Sequence, residues 1–278
     1  MQFISIEMEF LIMKLGYGLM KSDNPAISVR VANMKLRFKG SNVRIKYNEK
    51  EKLYSINDAN KTYYFGNLVR GYGLYGKGLK RRAEILYNSY LLNNIKFNHE
   101  DYIIDCGANY GDLWLSLEGK IKPEGYITFE PGLMEHQAIK MNAPGGVHNK
   151  LGLSNKSETV RFFVNEQDAD SSVVEPETYS HYIDIETSTL SEYFQSQKLD
   201  KIKLFKLEAE GFEPEILEGS LQVLKNIEYI AIDGGYERGK NHEETFSQIC
   251  NSLLTENFEM ISINFDWRRA LFLNKRLK

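Results

Sequence analysis

Apolar residues along this chain recur in two rhythms. Between Ile27 and Phe65 the runs are short: Val29-Arg30-Val31, Met34-Lys35-Leu36-Arg37-Phe38, Val43-Arg44-Ile45-Lys46-Tyr47 and Thr62-Tyr63-Tyr64-Phe65. Most alternate apolar with basic residues, and a period of two in β-branched and aromatic residues predicts β-hairpins. Arg30, Lys35, Arg37, Lys39, Arg44 and Lys46 then fall on the opposite strand faces, where solvation accounts for them better than an anionic partner does. The segment Arg70-Gly71-Tyr72-Gly73-Leu74-Tyr75-Gly76-Lys77-Gly78 predicts a loop, either a mobile one whose rings close over a ligand or a plain connector. Ile85, Leu86, Tyr90, Leu91 and Ile95 follow at roughly helical spacing and predict a helix between Leu79 and Ile95.

From residue 102 onward short apolar runs alternate with helical stripes. Strands are expected at Tyr102 to Cys106, Tyr126 to Phe129, Ile202 to Leu207 and Tyr229 to Ile232. Helices are expected around Leu113, Trp114 and Leu117, from Pro214 to Leu224 and from Glu243 to Leu254. Met260 to Phe265 and Ala270 to Leu273, joined by Asp266-Trp267-Arg268-Arg269, read as a closing antiparallel hairpin. Strands separated by helices imply a mainly parallel sheet, hence an α/β fold. The chain therefore divides into an extension over residues 1–78 and a catalytic domain over 79–278.

Composition narrows the class. At 278 residues the chain can bury one full α/β core with an extension. A formal net charge of -3, with 26% charged and 42% hydrophobic residues, fits a soluble enzyme and demands no nucleic-acid partner. Cys106 and Cys250 lack the C-x-x-C spacing of a zinc or redox motif, which fits a reducing, cytoplasmic setting. Met1 to Met20 is apolar, but Glu7, Glu9 and Lys14 break it before it can serve as a signal peptide or transmembrane span. It reads as an amphipathic helix packed on the domain or a partner, with peripheral membrane contact as the lesser alternative.

The candidate chemistry begins at Asp105-Cys106-Gly107-Ala108-Asn109-Tyr110-Gly111, where the first core strand turns. Ligands of parallel sheets settle at the carboxyl ends of strands. Gly107 and Gly111 let the backbone turn tightly and approach a ligand. Asp105 suits a cofactor bearing an ammonium group. Glu130, which closes the next strand, can accept hydrogen bonds from both hydroxyls of a ribose. Asn109 stands where a dinucleotide fingerprint needs its second glycine, which argues against NAD and for a cofactor without phosphates.

Together with Phe129-Glu130-Pro131, Lys206-Leu207-Glu208-Ala209-Glu210-Gly211-Phe212-Glu213 and Leu217-Glu218-Gly219, this turn resembles the FkbM-type methyltransferases, in the family's order over roughly residues 80 to 260. The resemblance implies a Rossmann-like, seven-stranded, mainly parallel sheet. It also implies transfer of a methyl group from S-adenosylmethionine to an oxygen, often a sugar hydroxyl of a polysaccharide, glycolipid or natural product. Asp105, Gly107, Asn109 and Gly111, with Cys106 and Ala108 in the same turn, would hold the methionine part. Glu130, followed by Pro131, would hold the ribose, and Gly152, Leu153 and Ser154 match the segment near the adenine. Three positions depart from the family's pattern: Glu208 and Ser191 stand where aspartates are usual, and Asp233 where a glutamate is usual.

An alcohol acceptor needs a group that removes its proton, and carboxylates or a histidine are the usual choice. Glu208, Glu210 and Asp233 close strands on the same rim as the cofactor turn, and adjacent carboxylates can share a proton or a divalent cation. Glu210 is the preferred substrate-facing acid, while the acid-rich turn also suits the start of a helix. His242, after the loop Gly234 to Lys240, reaches the site only if that loop folds inward. The other histidines show no metal-ligand spacing. Two further readings stand beside the methyltransferase: a nicotinamide-dependent sugar oxidoreductase or epimerase, which Asn109 disfavours, and a non-catalytic binding module that keeps the fold, prompted by Glu208, Ser191 and Asp233. The acceptor, the metal requirement and the oligomeric state have no signal in the sequence.

Overall fold

The computed structural model describes residues 16–165 and 171–277. The chain forms two compact units, Met1–Arg82 and Ala83–Lys278. Most of the Met1 to Met20 segment lies outside the described residues, and so its reading as an amphipathic or membrane-contacting helix does too.

In the first unit, helix α1 (Pro25–Phe38) occupies a stretch where strands were expected. The Asn24 side chain accepts from the amides of Ala26 and Ile27, and Pro25 follows at the first helical position, a strong start signal. Strand alternation would place Leu36 and Phe38 on one face, yet Leu36 is 1% exposed and Phe38 81%. Ser28, Val31, Ala32 and Leu36 are the buried set, at helical spacing. The expected hairpin residues further on do form an antiparallel meander, β1 (Arg44–Asn48), β2 (Leu53–Asp58) and β3 (Lys61–Phe65). The Asn33 side chain ties α1 to this sheet, donating to the carbonyl of Ile45 at 2.7 Å and accepting from its amide at 2.8 Å.

Most of the glycine- and tyrosine-rich stretch is also not a loop. It forms helix α2 (Leu68–Tyr75), capped by the Asn67 side chain on the Arg70 amide. Gly71 is required by packing, because a Cβ there would collide with the Phe65 ring. Helix α3 (Leu79–Ser89) follows, and the predicted helix ends six residues earlier than Ile95.

The second unit is an α/β domain. Its strands and helices are β4 (Ile103–Cys106), α4 (Trp114–Leu117), β5 (Tyr126–Phe129), α5 (Leu133–Asn142), β6 (Val147–Asn149), β7 (Gly152–Leu153), β8 (Thr159–Val164), β9 (His181–Ser188), α6 (Leu190–Gln197), β10 (Ile202–Leu207), α7 (Glu213–Ser220), β11 (Ile227–Asp233), α8 (Phe246–Thr255), β12 (Phe258–Asn264) and β13 (Arg269–Asn274). The main sheet has seven strands in the order β12-β13-β11-β10-β4-β5-β6. The five strands from β11 to β6 pair in parallel, and the closing hairpin β12/β13 adds antiparallel to β11. This is the Rossmann-like sheet the sequence implied. A second small sheet, β7-β9-β8, had no counterpart in the sequence reading.

The parallel strands are nearly all apolar because both faces are covered. Ile104, Ile127, Phe205 and Ile230 pack with Leu190, Phe194, Ile216, Leu217, Ile249 and Leu253 on one face. Ile103, Tyr126, Leu204 and Ala231 pack with Leu86, Tyr90, Leu113, Trp114 and Leu117 on the other. Alternation along each strand carries this second face toward the carboxyl ends, and the residues that arrive there are Asp105, Lys206 and Asp233.

Candidate active site

Register brings the charges together. Lys206 pairs with Asp105 between β10 and β4, and Asp233 pairs with Arg269 between β11 and β13. The Lys206 ammonium lies 3.1 Å from Asp105 Oδ1 and 2.8 Å from Glu208 Oε2, and donates to the carbonyls of Cys106 at 2.9 Å and Gly107 at 2.8 Å. Its approach to Asp105 Oδ1 is an ion pair without hydrogen-bond alignment. The Tyr126 hydroxyl donates to Asp105 Oδ2 at 2.6 Å, and the Tyr90 hydroxyl donates to Glu208 Oε2. Arg269 donates from Nε to Asp233 Oδ2 and from Nη1 to Ser89 Oγ, both at 2.6 Å, and its guanidinium lies 3.9 Å from the centre of the Tyr90 ring. Three acids and two bases thus share one rim, each inside a hydrogen-bonded frame. Buried ions persist only under that condition, because each costs several kcal/mol to desolvate.

The frame sets the protonation of each acid. Burial works to raise the Glu208 carboxyl, but attraction to Lys206 and then Arg269 outweighs it and holds the group down at about 2. Glu208 keeps 28% of its side-chain surface exposed, so it is anchored yet reachable. Burial and then repulsion from Glu208 push Asp233 up to about 6, against the pull of Arg269. For Lys206, burial opposes the charge, but Asp105 and Glu208 overcome it and hold the ammonium above its ordinary value. Asp105 is raised by burial, with Lys206 and Tyr126 opposing.

The turn from Cys106 to Gly111 stands beside this cluster. The amides of Gly107 and Ala108 donate to the Phe129 carbonyl, and Asn109 turns the chain at φ 50°. Glu130, buried at the tip of β5, accepts from the amides of Asn109 and Gly132 on separate oxygens, each at 2.9 Å. Burial, then the charge of Glu135, raises its carboxyl to about 8. A carboxylate oxygen has two lone-pair sites, so each can still accept one more donor, and a vicinal diol supplies two. Glu130 thus keeps acceptor capacity for two further donors. The glycines have different tasks. Gly107 has φ 67°, and a Cβ there would collide with the backbone carbonyl of Glu208, so this glycine serves the close approach of two strand ends. Gly111, at φ 81°, would make only ordinary contacts with Ile139. Asp105, whose oxygens face Tyr126 and Lys206, already has an ammonium partner within the protein.

Gly152, Leu153 and Ser154 follow β6. The backbone runs from Asn149, whose carbonyl accepts from the Glu130 amide, to the Ser154 amide on the Ser188 carbonyl at 3.0 Å. Ser191 donates to the Gly219 carbonyl at 2.7 Å. A Cβ on Gly219 would meet the Ser154 carbonyl, which explains a small residue there. Pro131 and Cys106 complete the two strand tips; burial pushes the Cys106 thiol up, which leaves it inert.

The remaining predicted acids part ways. β10 ends at Leu207, and positive φ at Glu210 (51°) and Gly211 (91°) turns the chain, so Glu208 and Glu210 do not share a strand face. Glu213 organises this turn, accepting from the amides of Ala209 and Gly211 and from the Thr245 hydroxyl. His242 lies outside the charged cluster, 60% exposed and 3.4 Å from Glu177. Arg238, on the same loop, makes a two-pronged ion pair with Glu215. Among the described residues no group of three His, Cys, Asp or Glu side chains is placed to hold a metal ion. No described helix is long and apolar enough to cross a membrane.

Tyr90, Tyr126, Lys206, Arg269 and Ser89 were not singled out as site residues from the sequence. Lys206 carried a usable signal, a lysine between Phe205 and Leu207 inside a largely apolar parallel strand. Arg269 carried none, since only register places it opposite Asp233.

The methyltransferase FkbM domain family matches residues 105–260. Among solved structures, a methyltransferase FkbM from Methylobacillus flagellatus KT is 13% identical with a TM-score of 0.44, covering 95% of this chain and 58% of its own. A SAM-dependent methyltransferase from Aquifex aeolicus is 12% identical with a TM-score of 0.36, covering 70% of this chain and 96% of its own. The METTL16 MTase domain is 11% identical with a TM-score of 0.38, over 95% and 90% respectively. This chain thus spans 58% of the length of the first of these structures. No curated protein matches it.

Proposed function

Because the chain belongs to the FkbM methyltransferase family, matched over residues 105–260 of 278, we propose that it moves a methyl group from S-adenosylmethionine to a hydroxyl of a saccharide, glycolipid or related metabolite. The cofactor supplies an electrophilic methyl on a sulfonium. The protein has to bind it, align an alcohol with it and take up the alcohol's proton.

Glu130 would hold the ribose hydroxyls, with the turn from Asp105 to Gly111 and the segment Gly152 to Ser154 enclosing the rest. For the proton, Asp233 is the better base of the rim. Glu208, held down at about 2, gives up basicity to its two cations and serves to fix Lys206, Tyr90 and Arg269. Asp233, at about 6, is ionised at neutral pH and still basic enough to accept. Its Oδ2 is bound by Arg269, and among the described residues no other side chain is found hydrogen-bonded to this carboxylate. This one observation carries the assignment: a buried, oriented carboxylate of near-neutral pKa.

Calorimetry with S-adenosylmethionine tests the binding half, and detection of S-adenosylhomocysteine across a panel of sugar acceptors tests the chemistry. Saturable binding by the wild type, weakened tenfold or more in Glu130→Ala, is expected. Asp233→Asn should bind the cofactor normally and lose turnover. A folded wild-type protein that binds no S-adenosylmethionine would overturn the reading.

A further inference from the structure

We infer that the unit formed by residues 1–82 carries a binding site of its own for an anionic saccharide, in a cleft framed by Lys39, Lys77, Lys80 and Tyr72. The inference rests on that unit alone and does not depend on the cofactor reading.

The cleft has a volume of about 580 Å³, too large for a bare inorganic ion and within the range of small-molecule sites. Its charge is one-sided. Three lysines line it, and among the described residues none of them pairs with a carboxylate. The one acid in the lining is Asp58, whose Oδ2 accepts the Leu79 amide at 2.7 Å. Ammonium groups on long stems recognise phosphate and carboxylate as point charges, without the fork geometry of arginine.

The rest of the wall suits a sugar. Lys39 lies over the face of the Tyr72 ring at 5.1 Å, which places a cation and an aromatic surface together. The Tyr72 hydroxyl has no hydrogen-bond partner among the described residues, leaving a donor for a ligand oxygen should the ring shift. Gly40 and Gly73 keep the cleft wide: a Cβ at either would meet nothing within 4 Å. The glycines and the tyrosine that suggested a ligand loop in the sequence thus line a cleft beside a helix.

Titration of the full chain with glucose 1-phosphate, glucuronate, glucose and inorganic phosphate tests the site. At least one charged sugar should bind saturably, with affinity falling as NaCl rises from 50 to about 500 mM, and glucose should not bind. Which charged sugar binds more tightly tells phosphate from carboxylate. The triple variant Lys39→Ala, Lys77→Ala, Lys80→Ala changes only exposed side chains and should weaken binding at least tenfold, leaving S-adenosylmethionine affinity unchanged. Gly73→Trp should weaken it equally by filling the cleft while keeping every charge. No binding of either charged sugar, equal affinity for inorganic phosphate and glucose 1-phosphate, or undiminished binding by the triple variant would overturn the proposal.

Discussion

Arg269 and Asp233 face each other across two antiparallel strands, and their side chains meet at 2.6 Å between Nε and Oδ2. The pair holds a carboxylate that burial pushes up to about 6, with Glu208 adding to the rise and Arg269 opposing it. If Asp233 takes the alcohol's proton, kcat/KM should rise with pH through about 6 and then level off. Arg269→Met should move that limb to higher pH, since the opposing cation is gone, and Arg269→Lys should restore part of the shift. A rate profile that is flat from pH 5 to 8 in the wild type would remove Asp233 from the mechanism. The same shift makes the folded state favour the protonated acid, so its contribution to stability is full below about pH 4 and is lost as pH rises through about 6.

Lys206 neutralises the buried Asp105 and the partly exposed Glu208 at once, so its loss should cost more than that of a surface lysine. Lys206→Met is expected to destabilise the protein by about 3–5 kcal/mol in urea unfolding, the usual consequence of stranding a buried charge. Adding Glu208→Gln should recover part of that loss, because the stranded carboxylate is then neutral. Equal stability of Lys206→Met and the wild type would mean that water, not the ammonium, solvates this rim.

The two glycines of the turn after β4 should differ. Gly111→Ala meets only ordinary contacts and incurs mainly the left-handed backbone penalty, about 1–2 kcal/mol. Gly107→Ala adds a collision with the Glu208 carbonyl and should lower the melting temperature further, even without cofactor. Equal melting temperatures for the two variants would show that the strand ends can separate freely.

Much of this architecture was legible because apolar spacing states it directly. Tyr102 to Cys106 and Ile202 to Leu207 could be read as strands, and acids at their ends as a rim. Helix α1 was misread because basic residues separated by single apolar ones satisfy a strand's period locally, whereas Asn24-Pro25 ahead of them carried the deciding start signal. Helix α2 was missed because its glycines were taken as the sign of a loop, mobile or plain, while Gly71 is there to let Phe65 pack. The chemistry of the rim was only half visible: Asp105, Glu208 and Asp233 stand out as acids, but the cations that set their protonation arrive through register. Local sequence carries no register between β11 and β13, so Arg269 stayed hidden.

Glu130 offers a direct thermodynamic test of the ribose assignment. Its carboxyl, raised by burial and then by Glu135 to about 8, is largely protonated at pH 7 in the ligand-free protein. Hydroxyl donors favour the ionised form, so a bound ribose should pull this pKa down and release a proton. S-adenosylmethionine affinity should therefore climb as pH rises from about 6 to 8, by at most about tenfold per pH unit, and the proton release should appear in calorimetry as heat that depends on the buffer. The cofactor's own amino group titrates in the same range, so the readout is the difference between wild type and Glu130→Gln. That variant should bind more weakly and lack the extra pH dependence. In the absence of ligand the sign for stability is the reverse: the raised carboxyl stabilises the fold fully below about pH 4.5, and that contribution is lost as pH rises through about 8. The variant should flatten the stability curve over that interval. Identical pH dependences of affinity in the two proteins would place the ribose elsewhere.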